Sequence, residues 1–262
     1  MRGHVGALTL SAGTILDCPP LQQIAAAAEA GFDGMGLRLD PGLVEVAELK
    51  RIRHAVAQAG LRMLDIEVIR LDSATPTTAQ CRLIEIAAEL GADWVLTVSE
   101  VADRHARTDG LSALCDVAAE CGVGIALEFM SFTAVRTLAE ADQLLSELAR
   151  PNAAVLVDAL HLARSGGQAS DVGELASDRL AYAQLSDARA DAPADEAGLA
   201  QEARHSRLMP GEGSLDLAGL LEVLPSGTPV TVEVQSDELS ARLEPTARAQ
   251  LAYDCARRLL GR

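Results

Sequence analysis

Short apolar runs alternate along the chain with longer stretches in which apolar residues recur at helical spacing. The short runs fall at residues 5–10, 34–39, 62–66, 94–98, 124–127, 154–157, 182–185 and 230–232. Continuous apolar runs of this length suit strands buried on both faces, as in a parallel sheet covered by helices. Four of the helical stretches stop at a glycine, Gly31, Gly60, Gly91 and Gly122, where a residue in the left-handed conformation ends a helix. Strand followed by helix, eight times over, predicts an α/β chain closed into a (β/α)8 TIM barrel, a single domain over residues 1–262. A doubly wound open sheet shares the rhythm, and the count of eight decides for the barrel. Residues 188–201 break the pattern: polar, acidic and proline-containing, they are expected to form a long loop or lid after strand seven.

Composition changes this picture in three places. Aromatic residues are only 2% of a chain that is 49% hydrophobic, so the core has to be built from Ala, Leu, Val and Ile. A net charge of -16 argues against nucleic acid or an anionic membrane as the main partner, since both need clustered positive charge, and leaves a small molecule as the expected partner. Cys18, Cys81, Cys115, Cys121 and Cys255 are scattered, without a CxxC pair, as in a reduced cytoplasmic chain. No segment reaches the ~18 apolar residues of a membrane span, and the start lacks the architecture of a signal peptide.

In such a barrel chemistry gathers at the carboxyl ends of the strands. Strand five ends at Glu128, and strand six at Asp158, with His161 three residues on. Strand seven carries Gln184, with Asp187 beyond it, and strand eight ends at Glu233. A lone carboxylate closing an apolar run costs several kcal/mol unless it is paired or metal-bound. Independent helix caps would not be expected to fall on four strands in turn, so the set reads as the site of one cation. Three carboxylates and an amide oxygen are hard donors, which favours Mg2+ or Mn2+.

Around this set, Arg207 precedes Pro210 to Gly213 between strands seven and eight, where barrels often hold an anionic group. Glu67 and Arg70 follow strand three at the same mouth, as substrate contacts or as a local salt bridge. Arg38, at the end of strand two, is a further candidate. His4, His54 and His105 have no partner spacing and are read as surface or helix residues. No GxGxxG, P-loop or GxSxG motif is present.

The stretches LEFMSFTAVRTLAEA (127–141), VDALHLARSGG (157–167), QLSDA (184–188), RLMPGEGSLDL (207–217) and VEVQS (232–236) resemble the xylose isomerase-like barrel superfamily, within it the sugar phosphate isomerase/epimerase group. The resemblance implies one Mn2+, Mg2+ or similar ion held by Glu128, Asp158, Gln184 and Glu233. It also implies that Glu128 and Glu233 flank the reacting carbon as base and acid, and that Arg207 contacts substrate oxygens. His161 is placed to assist proton transfer or to orient a ligand. The third ligand is commonly histidine in the epimerases, and Gln184 resembles instead the 3-dehydroshikimate dehydratase branch. The expected activity is isomerisation or epimerisation of a small sugar, keto-polyol or related hydroxy-ketone by proton transfer through a metal-stabilised enediolate. A lyase of the 3-dehydroshikimate dehydratase kind and a non-catalytic barrel binding a sugar or a protein are the alternatives. The resemblance permits a homo-oligomer.

Overall fold

The computed structural model describes residues 5–261, so His4 lies outside the described residues. Eight parallel strands close into a barrel in chain order, each paired with the next and β8 with β1. They are β1 (Leu8–Leu10), β2 (Gly34–Arg38), β3 (Arg62–Leu71), β4 (Trp94–Ser99), β5 (Gly124–Glu128), β6 (Ala153–Asp158), β7 (Leu180–Leu185) and β8 (Val230–Val232). The helices are α1 (Pro20–Ala30), α2 (Val46–Ala59), α3 (Thr78–Leu90), α4 (Arg104–Cys121), α5 (Leu138–Leu148), α6 (Ala159–Arg164), α7 (Ala169–Gly173), α8 (Glu196–His205), α9 (Leu217–Val223), α10 (Asp237–Arg242) and α11 (Pro245–Leu260). The single-domain barrel expected from the strand count is what forms. The glycines at 31, 60, 91 and 122 end α1 to α4 with φ between 67° and 93°, the left-handed geometry anticipated for them.

Side chains alternate across each strand, so residues two apart share a face. Leu64, Leu96, Ala126, Leu156 and Tyr182 belong to one buried cluster inside the barrel, while a second, larger one fills the layer between sheet and helices. Two residues beyond three of these inner positions stand Glu128, Asp158 and Gln184. The alternation that packs the barrel interior therefore aims the polar strand ends into its mouth.

Two boundaries differ from expectation. Strand β3 runs on to Leu71, five residues past its expected end, so Glu67 and Arg70 are strand residues rather than loop residues. The charged side chains hid a segment whose backbone still pairs with β2 and β4. The acidic stretch at 188–201 is only partly a loop, because α8 begins at Glu196, capped by the Asp195 side chain, which accepts a hydrogen bond from the Gly198 N–H. Helix α8 is fastened to the barrel by a buried ion pair between Arg164 and Glu202 (2.7 Å) and an exposed one between Arg136 and Glu196 (2.7 Å). Among the described residues no helix is long and apolar enough to cross a membrane.

Candidate metal centre

Asp158 is both the last residue of β6 and the N-cap of α6: its Oδ1 accepts the His161 backbone N–H at 3.0 Å. The cap turns the chain at once into a helix and brings His161 back over the mouth. Its Nε2 lies 3.8 Å from Glu128 Oε1. Glu128, Asp158 and His161 each present a donor atom within 4.8 Å of the other two, and all three are buried. Gln184 is aligned with Asp158 across the β6–β7 ladder. Glu233 follows β8, and a Cβ on Gly13 would collide with its carboxylate, so only glycine leaves that carboxylate its place.

Arg207 is the cation of the site. Its Nη1 donates to Asp158 Oδ2 at 2.6 Å and to Ser186 Oγ at 3.1 Å, its Nη2 lies 3.3 Å from Glu233 Oε2, and its Nε donates to the Ala203 carbonyl at 2.7 Å. A substrate-facing loop arginine was expected; the side chain is instead 2% exposed and committed to two of the expected ligands. Glu67 and Arg70 do not pair with each other. Glu67 is buried against Arg38 at 2.5 Å, whereas Arg70 reaches outward to Glu100 at 3.2 Å. His54 and His105 are exposed on α2 and α4. Asp187 accepts the backbone N–H groups of Ala188, Gly211 and Leu215 and so shapes the loop that follows Arg207.

A cavity of about 370 Å³ opens over these groups. Glu67, Glu128, His161, Arg207 and Glu233 line it together with the apolar side chains of Val68, Leu96, Val98, Met130 and Phe132. The Phe132 ring stands edge-on to His161, with centroids 5.6 Å apart.

Electrostatics follow from burial. Burial, then the charges of Glu233 and Asp158, raises the Glu128 carboxyl well above the usual range. Burial also pushes Asp158 upward, but Arg207 and His161 together outweigh it and hold Asp158 below its ordinary value. Glu233 is raised, chiefly by burial and against the pull of Arg207. Burial lowers His161 to about 4, so its ring is neutral at pH 7 and free to accept a proton.

Sequence reasoning missed a pair beneath the site. Tyr182 donates its hydroxyl to Asp65, which is fully enclosed and pushed up to about 8, first by burial and then by the charge of Glu67. Alternation was the available signal, since Asp65 precedes Glu67 by two residues and Tyr182 precedes Gln184 by two. The folded chain therefore holds a proton on Asp65 that the unfolded chain, with an ordinary carboxyl near 3.9, has lost by neutral pH. This contribution favours the fold most below pH ~4, and it falls by about 1.4 kcal/mol per pH unit until roughly pH 8. Asp65→Asn should remove that fall, and urea midpoints of the native chain and the variant between pH 5 and 8 measure it. Parallel pH dependences would refute the assignment.

Two observations fit these residues to a divalent cation. Neither Oε1 nor Nε2 of the fully buried Gln184 has a hydrogen-bond partner among the described residues, a state that costs about 1–3 kcal/mol unless something else ligates the amide. Arg38 offsets Glu67, and Asp65 is neutral at pH 7, so Glu128, Asp158 and Glu233 face the single guanidinium of Arg207. With all three ionised, as a bound cation would keep them, Arg207 would leave two negative charges over, the charge of one divalent ion.

A family model described as the xylose isomerase-like TIM barrel matches residues 24–259. The 3-dehydroshikimate dehydratase of Pseudomonas putida KT2440 is 28% identical over 255 residues, covering 91% of this chain and 39% of that protein. The enzyme of the same name from Pseudomonas aeruginosa PAO1 is 30% identical over 236 residues, covering 84% of this chain and 37% of that protein. The chain thus spans less than two-fifths of the length of either relative. Among solved structures, the IOLI protein with a bound zinc atom superposes with a TM-score of 0.82 at 20% identity, over 97% of this chain and 98% of that one, a likeness of fold. Both curated relatives are dehydratases, which overturns the isomerase or epimerase expected from the sequence and favours the lyase alternative.

Proposed function

Because the chain belongs to the xylose isomerase-like TIM barrel family, we propose that it is a divalent-metal-dependent lyase that removes water from a small cyclic hydroxy-ketone of the 3-dehydroshikimate kind. The observation that carries the reading is the buried Gln184 amide beside Asp158, without a hydrogen-bond partner, in a chain whose curated relatives are dehydratases.

Glu128, Asp158, Gln184 and Glu233 would hold the ion. When bound, a divalent cation would supply Lewis acidity to the substrate carbonyl. The chain's own residues account for the proton movements. His161, neutral and set against Glu128, takes the proton from the carbon next to the carbonyl. The electron pair of that C–H bond becomes the new C=C bond, the C–O bond to the β-hydroxyl breaks, and the imidazolium returns its proton to the departing oxygen, which leaves as water. In a six-membered ring that already carries unsaturation, this loss followed by tautomerisation completes an aromatic ring. The apolar side chains around Phe132 suit the flat face of such a ring. Arg70, half exposed at the rim, offers a guanidinium to a substrate carboxylate, while Glu67 fixes the neighbouring Arg38.

The test is direct. Metal-stripped chain is reloaded with Mn2+, Mg2+, Co2+ or Zn2+ and incubated with 3-dehydroshikimate while near-ultraviolet absorbance is followed. A rise from an aromatic acid, abolished by chelator, is the expected result. No rise with any metal, alongside epimerisation of a ketose by the same preparation, would refute the lyase.

A further inference from the structure

A positive charge already stands among the ligands. The Arg207 guanidinium is wedged between the carboxylates of β6 and β8, reaching Asp158 Oδ2 at 2.6 Å and Glu233 Oε2 at 3.3 Å. Two further bonds lock it there, from Nε to the Ala203 carbonyl of α8 and from Nη1 to Ser186 Oγ. Glu233 is correspondingly held aside: one carboxylate oxygen faces Arg207, and the other accepts from Gln235 Nε2 at 3.1 Å. The tight group of donor atoms consists of Glu128, Asp158 and His161, and Glu233 stands outside it.

Resting on the metal-dependent reading above, we infer that Arg207 is a place-holding cation. In the metal-free chain it pairs with both Asp158 and Glu233 and keeps Glu233 away from the other donors, and a divalent ion has to win both carboxylates against it. The physical grounds are those of any buried ion pair. Three enclosed carboxylates with no counter-charge would destabilise the empty barrel, and one guanidinium spanning two of them removes most of that repulsion. The same charge repels an arriving cation, since like charges a few ångströms apart in a poorly screened interior interact strongly. Arg207 therefore exchanges metal affinity for a folded empty state. It is a positioning residue for the metal ligands rather than a ligand itself.

Competition and support make opposite predictions. If Arg207 merely props the ligands in place, removing it weakens metal binding; if it competes, removing it strengthens binding while the empty chain becomes less stable. The experiment titrates Mn2+ into metal-stripped native chain, Arg207→Gln and Arg207→Lys by calorimetry at one fixed pH, and records melting temperatures with and without metal. Expected are a lower melting temperature for metal-free Arg207→Gln, a dissociation constant at least about tenfold tighter than native, and a larger stabilisation on metal addition. Arg207→Lys keeps the charge, but one ammonium cannot span both carboxylates, so its affinity should fall between the two.

Equal or weaker binding by a folded Arg207→Gln overturns the inference while leaving the metal-dependent reading intact. Should Arg207→Gln fail to fold without metal, Arg207→Lys decides in the same way, and binding no tighter than native overturns the inference. A native chain that takes up no Mn2+ under these conditions overturns both.

Discussion

Replacing Asp158 by alanine is expected to lower the melting temperature by about 10 °C and to abolish both metal uptake and turnover. Three roles converge on this one carboxylate. Its Oδ1 caps α6 through the His161 N–H, a bond whose loss typically costs ~1 kcal/mol. Its Oδ2 is the shortest partner of Arg207, and stripping one member from a buried ion pair costs roughly 3–5 kcal/mol, here toward the lower end because Glu233 still faces the guanidinium at 3.3 Å. For a chain of this size each kcal/mol moves the melting temperature by about 2–4 °C, which sets the scale of the shift. The third is the proposed ligation of the ion, beside Gln184.

Asp158→Asn separates these roles. Its amide oxygen still caps α6, so the fold should survive with a smaller loss, but the ligand charge is gone. Mn2+ affinity should fall by at least about a hundredfold, near 2.7 kcal/mol. Calorimetric titration and thermal melts of both variants make the comparison. An Asp158→Asn chain with native metal affinity would remove Asp158 from the ligand set.

How much of this was legible beforehand depends on which physical rule each feature obeys. Strand and helix follow from periodicity, and the left-handed stops at Gly31, Gly60, Gly91 and Gly122 follow from backbone sterics, so the barrel could be read directly. The inward aim of Glu128, Asp158 and Gln184 follows from the two-residue alternation of a strand. Partner choice obeys no local rule. Nothing near Arg207 in the chain reveals that its guanidinium will be buried against Asp158, 49 residues away, and nothing near Glu67 reveals Arg38, 29 residues away. The course of β3 was hidden for a related reason: Glu67 and Arg70 look like loop residues until their partners on neighbouring elements are known. The branch between isomerase and lyase was hidden more deeply. Three carboxylates around a cation can begin either reaction; Gln184 in the place where the epimerases commonly carry histidine points to the lyase, but by resemblance and not by chemistry.

What leaves is decided by the acid and base, and His161→Gln is expected to lower kcat about 10²- to 10⁴-fold while the metal content stays near native. The imidazole is positioned from two sides, by its backbone tie to Asp158 and by the edge contact with Phe132. Burial keeps it neutral at pH 7, as a base needs to be. Its donor atoms also fall within the group formed with Glu128 and Asp158, so ligation is the competing role, and the two roles separate cleanly in the variant. A catalytic His161 predicts that His161→Gln binds Mn2+ within a fewfold of native and binds substrate with nearly unchanged KM, the whole loss appearing in kcat. It further predicts that exchange of the substrate proton with deuterated solvent disappears together with elimination, because one group serves both steps. A ligating His161 predicts instead that metal affinity and turnover fall in parallel and that excess Mn2+ rescues the rate. Metal titration, steady-state kinetics and solvent exchange on the same preparation decide between them. Rescue by metal would hand the base to Glu128, whose raised pKa, set first by burial, already inclines it to hold a proton.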